Sequence, residues 1–215
     1  MVFLAHPPLW LRALYPQCIW KIPDEERRVY LTFDDGPHPE VTRFVLDTLD
    51  AYDAKATFFC IGRNVMQHPD VFQLVEERGH LVANHTFNHL NGWKTPTAEY
   101  MADIRQASEW IDSSWFRPPY GRISWAQLRA LRKLVPALKP VMWTVLSGDF
   151  DLSMTGEQCY RLVMRHVSPG AILVFHDSEK AFPRLREALP LVLQDLTKQG
   201  FRFGLLPGDL RRDRP

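Results

Sequence analysis

Tyr30-Leu31-Thr32-Phe33-Asp34-Asp35-Gly36-Pro37 is the stretch on which the fold turns. A β-rich run, Val29 to Phe33, stops on two adjacent carboxylates, and Gly36-Pro37 forces a turn. Two neighbouring carboxylates repel each other, so a strand that delivers both needs a compensating metal ion, an arginine, or both. Downstream, strands and helices alternate. Ala56–Ile61 reads as a short buried strand, followed by Leu81–Asn84, Trp115–Arg117, Pro140–Leu146, Ala171–Phe175 and Phe201–Leu205. Between them, apolar residues at 41, 44, 45, 46 and 49 keep helical spacing. Asn64 or Asp70 is expected to cap helical turns that run to Arg78, with Gly79 as the stop. Thr95-Pro96 opens a helix to about Asp112. Ser124–Gln127 and Thr155–Gln158 match capping boxes. Glu179–Gln199 is mostly helical, with a break admissible at Pro190.

Seven strands alternating with helices imply parallel strands, in a barrel or a doubly wound sheet. Polar candidates follow the first, third, fourth, fifth and sixth strands. A distorted (β/α) barrel brings all of these strand ends to one mouth, whereas an open sheet spreads them along an edge, so the barrel is favoured.

The chain of 215 residues carries a formal charge of +1. That excludes a broad basic surface for nucleic acid. Three scattered cysteines, Cys18, Cys60 and Cys159, form no disulfide framework and fit a reducing compartment. Met1 to Leu14 is apolar, but no Lys or Arg precedes it and His6-Pro7-Pro8 and Arg12 interrupt it. It is a poor signal peptide, and the expected location is cytoplasmic. Residues 1–28 are expected to form a collar, with Trp10, Leu11, Leu14, Tyr15, Ile19 and Trp20 packing on a catalytic domain of residues 29–215. A peripheral membrane foot is the alternative, disfavoured because its polar face lacks lysine.

His85 and His89 are spaced to form a bidentate clip for a divalent metal. With one carboxylate of the Asp34-Asp35 pair they make a two-His, one-carboxylate set that leaves room for water. Adjacent residues face different ways, so one aspartate binds metal and the other can take a proton from water. Arg117-Pro118-Pro119-Tyr120-Gly121 is a rigid turn that can aim a backbone N–H at an oxyanion, and Arg117 can hold the second aspartate ionised. His176 ends the sixth strand as a candidate general acid. Asp149 is its plausible partner, with Asp151 and Asp177 in competition. Trp93, Trp125 and Trp143 are available as sugar platforms and are left unassigned.

Together these residues resemble the polysaccharide deacetylase family, the NodB-homology domain of carbohydrate esterase family 4, over about residues 29–206. Thr32–Pro37 is similar to its first motif, His85-Thr86-x-x-His89 to its second, Arg117–Gly121 to its third and Ile172–Asp177 to its fifth. The resemblance implies a divalent metal, zinc first, with cobalt, nickel or manganese as alternatives, bound by Asp35, His85 and His89. It implies Asp34 as base held by Arg117, the Tyr120 N–H at the oxyanion, and His176 as acid oriented by Asp149. It also implies a substrate pocket touched by Pro119, Tyr120, Phe150, Leu173 and Val174. The fourth motif departs: Leu146 replaces an aspartate and Phe150 a tryptophan. The expected reaction is removal of N-acetyl groups from a chitooligosaccharide- or peptidoglycan-type sugar. Hydrolysis of another C–N bond, in a small amide or cyclic imide, is the alternative that the altered motif suggests.

Overall fold

The computed structural model describes residues 4–24, 26–134 and 138–207. The first three residues of the expected collar, Glu25 of its charged turn and the end of the chain after Pro207 lie outside them. Among the described residues eight strands form: β1 (Arg28–Asp34), β2 (Ala56–Cys60), β3 (Leu81–Asn84), β4 (Trp115–Phe116), β5 (Lys139–Pro140), β6 (Val145–Leu146), β7 (Ile172–His176) and β8 (Arg202–Phe203). The helices are α1 (Leu9–Leu14), α2 (Val41–Asp50), α3 (Gly62–Gln67), α4 (Pro69–Glu77), α5 (Thr97–Ser108), α6 (Trp125–Leu134), α7 (Gly156–His166) and α8 (Phe182–Lys198).

Every strand pairing is parallel, in the order β5-β4-β3-β2-β1-β7-β6, with β8 on the start of β1. The path begins at β5 and ends at β6, which are consecutive in the chain, so the sheet curls until its two ends nearly meet. The run 140–146, expected as one strand, is therefore two. Between them Ile19 intrudes: Met142 donates to the Ile19 carbonyl (2.8 Å) and Ile19 bridges Val141. A segment more than 100 residues upstream takes the hydrogen bonds a continuous strand would have used.

Side-chain parity builds the two layers. Leu31 and Phe33 of β1, Phe58 and Cys60 of β2, and Leu173 and Phe175 of β7 face outward into a core with α2, α7 and α8. The alternate residues, Tyr30, Phe59 and Ile172, face inward. Coverage on both sides explains why β1 is buried almost throughout. Helix α8 buries Leu185, Leu189, Val192, Leu193 and Leu196 along one stripe and runs through Pro190 without ending. Both capping boxes form: Ser124 with Gln127 and Thr155 with Gln158. The expected Asn64 cap does not; α3 and α4 are separate helices capped at Ile61 and His68. Pro96, not Thr95, is the N-cap of α5.

The collar differs from expectation. Tyr15, Ile19 and Trp20 pack against buried clusters. Helix α1, however, has no buried residue, and Trp10 and Leu14 remain 64% and 50% exposed. No helix among the described residues is long and apolar enough to cross a membrane. The three cysteines are buried, and no disulfide joins them.

His80, just before β3, is a buried acid-sensitive point. Its Nδ1 accepts from the Ala56 N–H (3.2 Å), its ring meets Phe58, and its Nε2 is buried without a partner. Burial, with the positive charge of Lys55 adding to it, pushes its pKa down to about 4. The folded value lies below the unfolded one, so its contribution is complete above pH ~6.5 and is lost as pH falls toward 4. We predict that denaturant titrations of His80→Leu lose on the order of 2 kcal/mol less stability over that interval than the wild type. Equal losses in the two proteins would contradict this.

A candidate metal centre

Parity places Asp34 on the inner face of β1, two residues beyond Thr32, while Asp35 lies one residue past the strand. Arg117, at the end of β4, is fully buried and meets both inner groups: Nη1 donates to Asp34 Oδ1 (2.6 Å) and Thr32 Oγ1 (2.8 Å). Its remaining donors reach the Val141 and Met142 carbonyls, and its plane lies 4.0 Å over the Phe59 ring. The chain break between β5 and β6 thus has a use, because it frees those two carbonyls for a buried cation.

Asp35 turns away from Asp34 by adopting φ 85°, a left-handed conformation unfavourable for a side-chain-bearing residue. Thr86, His89 and Tyr120 share that sign of φ. Four of the six such residues among those described therefore crowd one place, where local strain is held by its surroundings. Asn64 donates to the Asp35 carbonyl (2.7 Å). Asp177 accepts from the Gly36 N–H (3.0 Å) and from Thr42 (2.5 Å), and a Cβ on Gly36 would strike its carboxylate. The histidine loop is fixed by Asp103 of α5, which accepts from the Phe87 N–H, the Asn88 N–H and the Asn88 side chain. Asn84 Oδ1 accepts from the Thr86 N–H.

Asp35, His85 and His89 converge, with one potential ligand atom from each lying within 4.8 Å of the others. His89 Nε2 is 3.2 Å and His85 Nε2 3.8 Å from Asp35 Oδ1. His85 Nδ1 lies 2.8 Å from the Arg117 carbonyl and must donate to it, so Nε2 carries the lone pair. Burial pushes His85 down to about 4, which keeps it neutral near pH 7. Burial alone would raise the Asp35 carboxyl, but the imidazole of His89, with His176 and His85 near, holds it below the ordinary range. Asp35 Oδ1 is buried and makes no hydrogen bond. The His85 Nε2 lone pair, His89 Nε2 and a carboxylate oxygen of Asp35, all facing one another, form a donor set that a divalent cation satisfies.

His176 Nδ1 meets Asp149 Oδ1 at 2.7 Å, and Asp149 Oδ2 accepts the His176 N–H at 2.7 Å. Of the three competing acids, Asp149 is thus the partner; Asp177 serves Gly36, and Asp151 bonds Ser153. Burial works against a charged His176, but the Asp149 carboxylate outweighs it and raises the group to about 9. Arg184 of α8 donates to the Asp149 carbonyl (2.5 Å) and so anchors that loop.

A cavity of about 610 Å³ opens over these groups, reached by Asp34, Asp35, His85, His89, Tyr120, Phe150 and His176. The Tyr120 ring sits 4.7 Å from His89, and Phe150 packs edge-on against His176. Three expected substrate residues are not brought to it. Leu173 is three positions from His176, hence on the opposite face of β7, and is fully buried in the helical layer. Val174 shares the inner face but lies buried beneath, paired with Thr32 and Leu146. Pro119 is buried in its turn. Thr32, Asp103 and Arg184 support the site without having been singled out from sequence, while Asn64, expected as a cap, and Asp177, expected as a competing partner of His176, support it in other roles. Asp103 carried a signal, a carboxylate on the apolar stripe of Tyr100, Ile104 and Ala107.

Residues 21–135 match the family model described as polysaccharide deacetylase. A peptidoglycan-N-acetylglucosamine deacetylase of Bacillus cereus is 33% identical over 191 residues, covering 86% of this chain and 88% of its own. A chitooligosaccharide deacetylase of Azorhizobium caulinodans is 32% identical, covering 87% and 96%. Among solved structures, a peptidoglycan N-acetylglucosamine deacetylase bound to a hydroxamate superposes with a TM-score of 0.85 at 28% identity, covering 95% of this chain and 97% of that one.

Proposed function

The chain belongs to the polysaccharide deacetylase family, and on that premise we propose that it hydrolyses the acetamide of an N-acetylated sugar of the peptidoglycan or chitooligosaccharide type, giving acetate and a free amine. The observation that carries the reading is the pair of groups side by side at the ends of β1 and β7 in one cavity, Asp34 held by Arg117 and His176 held by Asp149. We assign Asp35, His85 and His89 as ligands of a divalent cation. Zinc is the choice that suits two imidazoles and a carboxylate. When bound it supplies Lewis acidity, polarising the amide carbonyl and making water easier to deprotonate.

The remaining chemistry belongs to side chains. Asp34, ion-paired with Arg117, accepts the proton of the attacking water. The Tyr120 N–H, fixed by Pro118 and Pro119, donates to the developing oxyanion. His176 gives its Nε2 proton to the departing nitrogen as the C–N bond breaks. Asp149 holds the His176 ring and its charge in place.

Acetate release from chitin oligomers and peptidoglycan fragments tests the reading. We expect turnover that a chelator abolishes and added zinc restores; turnover of small amides or cyclic imides alone would overturn it. The pH profile tests the acid. His176 must be protonated, so activity falls as pH rises through its pKa. Asp149→Asn removes the charge that raises it, and the alkaline limb should move down by about one unit or more. An unmoved limb would remove His176 from that role.

A further inference from the structure

The proposed chemistry uses one part of the cavity. The rest of its lining includes an apolar wall of Leu4, Pro7, Trp10, Leu11, Met142 and Leu146, beside further aromatic rings and the polar Arg122, Ser178 and Lys180. Most of this wall is collar, and the collar is tied to the β6 region. The Leu146 N–H donates to the Ala5 carbonyl (2.8 Å), Trp143 Nε1 to the Leu4 carbonyl (3.2 Å), and His6 Nδ1 contacts the Thr144 carbonyl (2.8 Å). Leu146 is also the position where the family motif carries an aspartate. The Leu146 side chain leaves the pocket without that acid, and the backbone at the same position docks the collar.

The rim points the same way. Leu9, Trp10 and Leu4 are 80%, 64% and 49% exposed although α1 sits at the mouth of a site. Apolar side chains held in water beside a reaction centre mark a surface that a ligand covers. Hydroxyls laid on the six apolar side chains of that wall would find few partners, the polar groups of the lining being elsewhere, at Arg122, Ser178 and Lys180.

We propose that this apolar wall of the cavity binds a hydrocarbon group carried by the N-acylated amino sugar, either as a longer N-acyl chain or as the group on its glycosidic oxygen. The collar is then a specificity element. The sugar and amide rest on the deacetylase reading; the hydrocarbon rests on the wall alone.

The test is calorimetric binding, to zinc-free and zinc-loaded protein, below micelle concentrations. The ligands are methyl and octyl glycosides of N-acetylglucosamine, the methyl glycoside of N-octanoylglucosamine, and N,N′-diacetylchitobiose. We expect at least one of the two long-chain compounds to bind ~100-fold tighter than the methyl glycoside of N-acetylglucosamine, the gain from burying about half of the seven methylenes added in the octyl glycoside or the six added in the N-octanoyl compound. Which one gains identifies the point of attachment. Trp10→Ala, at an exposed position, should cut that gain by ~10-fold. Equal binding of the long-chain compounds and that methyl glycoside, or a gain from the second sugar that matches the long-chain gain, would overturn the proposal. Binding is read without turnover, so the two readings fail separately. A long-chain gain with no acetate release sinks the deacetylase, and acetate release with no long-chain gain sinks only the hydrocarbon.

Discussion

Asp34→Asn is expected to lower kcat by ~10³-fold, the scale on which a positioned general base acts, while bound zinc stays at one per chain. The substitution keeps the shape of the side chain and removes the charge that accepts the proton. Asp35, the assigned ligand, points elsewhere because of its left-handed backbone, so the metal set is untouched. Stability falls as well. Arg117 is only 1% exposed, and without Asp34 its charge is buried without a counter-ion, a change that costs about 3–5 kcal/mol. For a chain of this size that is a fall in Tm of about 10 °C. Metal analysis separates the outcomes: full turnover refutes the base assignment, and loss of zinc with turnover refutes the division of labour between the two aspartates.

Arg117→Met should destabilise the fold on the same scale, about 3–5 kcal/mol. The guanidinium satisfies Asp34, Thr32 and two backbone carbonyls at once and covers Phe59. Methionine fills the volume but leaves the Asp34 carboxylate buried and unpaired. Arg117→Lys should recover little, since an ammonium cannot span the planar fork. The double variant Asp34→Asn/Arg117→Met should be less destabilised than the two single losses summed, because each single change strands a charge that the double removes. Simple additivity in urea titrations would mean that the pair is not coupled.

Some of this architecture was written in local sequence. The two carboxylates at a strand end, the His-x3-His clip and the rigid Arg117–Gly121 turn are short-range patterns, and strand parity carries Asp34 and His176 to the same interior. Parity also contained the answer for Leu173, three residues from His176 and so on the other face, which the motif comparison obscured. What could not be read depends on distant partners. The run 140–146 has unbroken strand character, and only Ile19 arriving from the collar splits it. Asn64 has the chemistry of a helix cap but spends its amide on the Asp35 carbonyl. Trp10 and Leu14 have core composition, yet both stay half or more exposed, Trp10 at the mouth of the cavity. Choosing Asp149 over Asp151 or Asp177 required knowing that Asp177 is already engaged by Gly36 and Thr42.

The central claim is that Asp35, His85 and His89 hold one cation facing Asp34 and His176. Anomalous diffraction at the zinc edge from crystals grown with zinc addresses it directly. The account predicts a single strong peak at about 2.0–2.2 Å from the two histidine Nε2 atoms and a carboxylate oxygen of Asp35. No peak there with all three side chains ordered, or a peak held by a different set of residues, would contradict it.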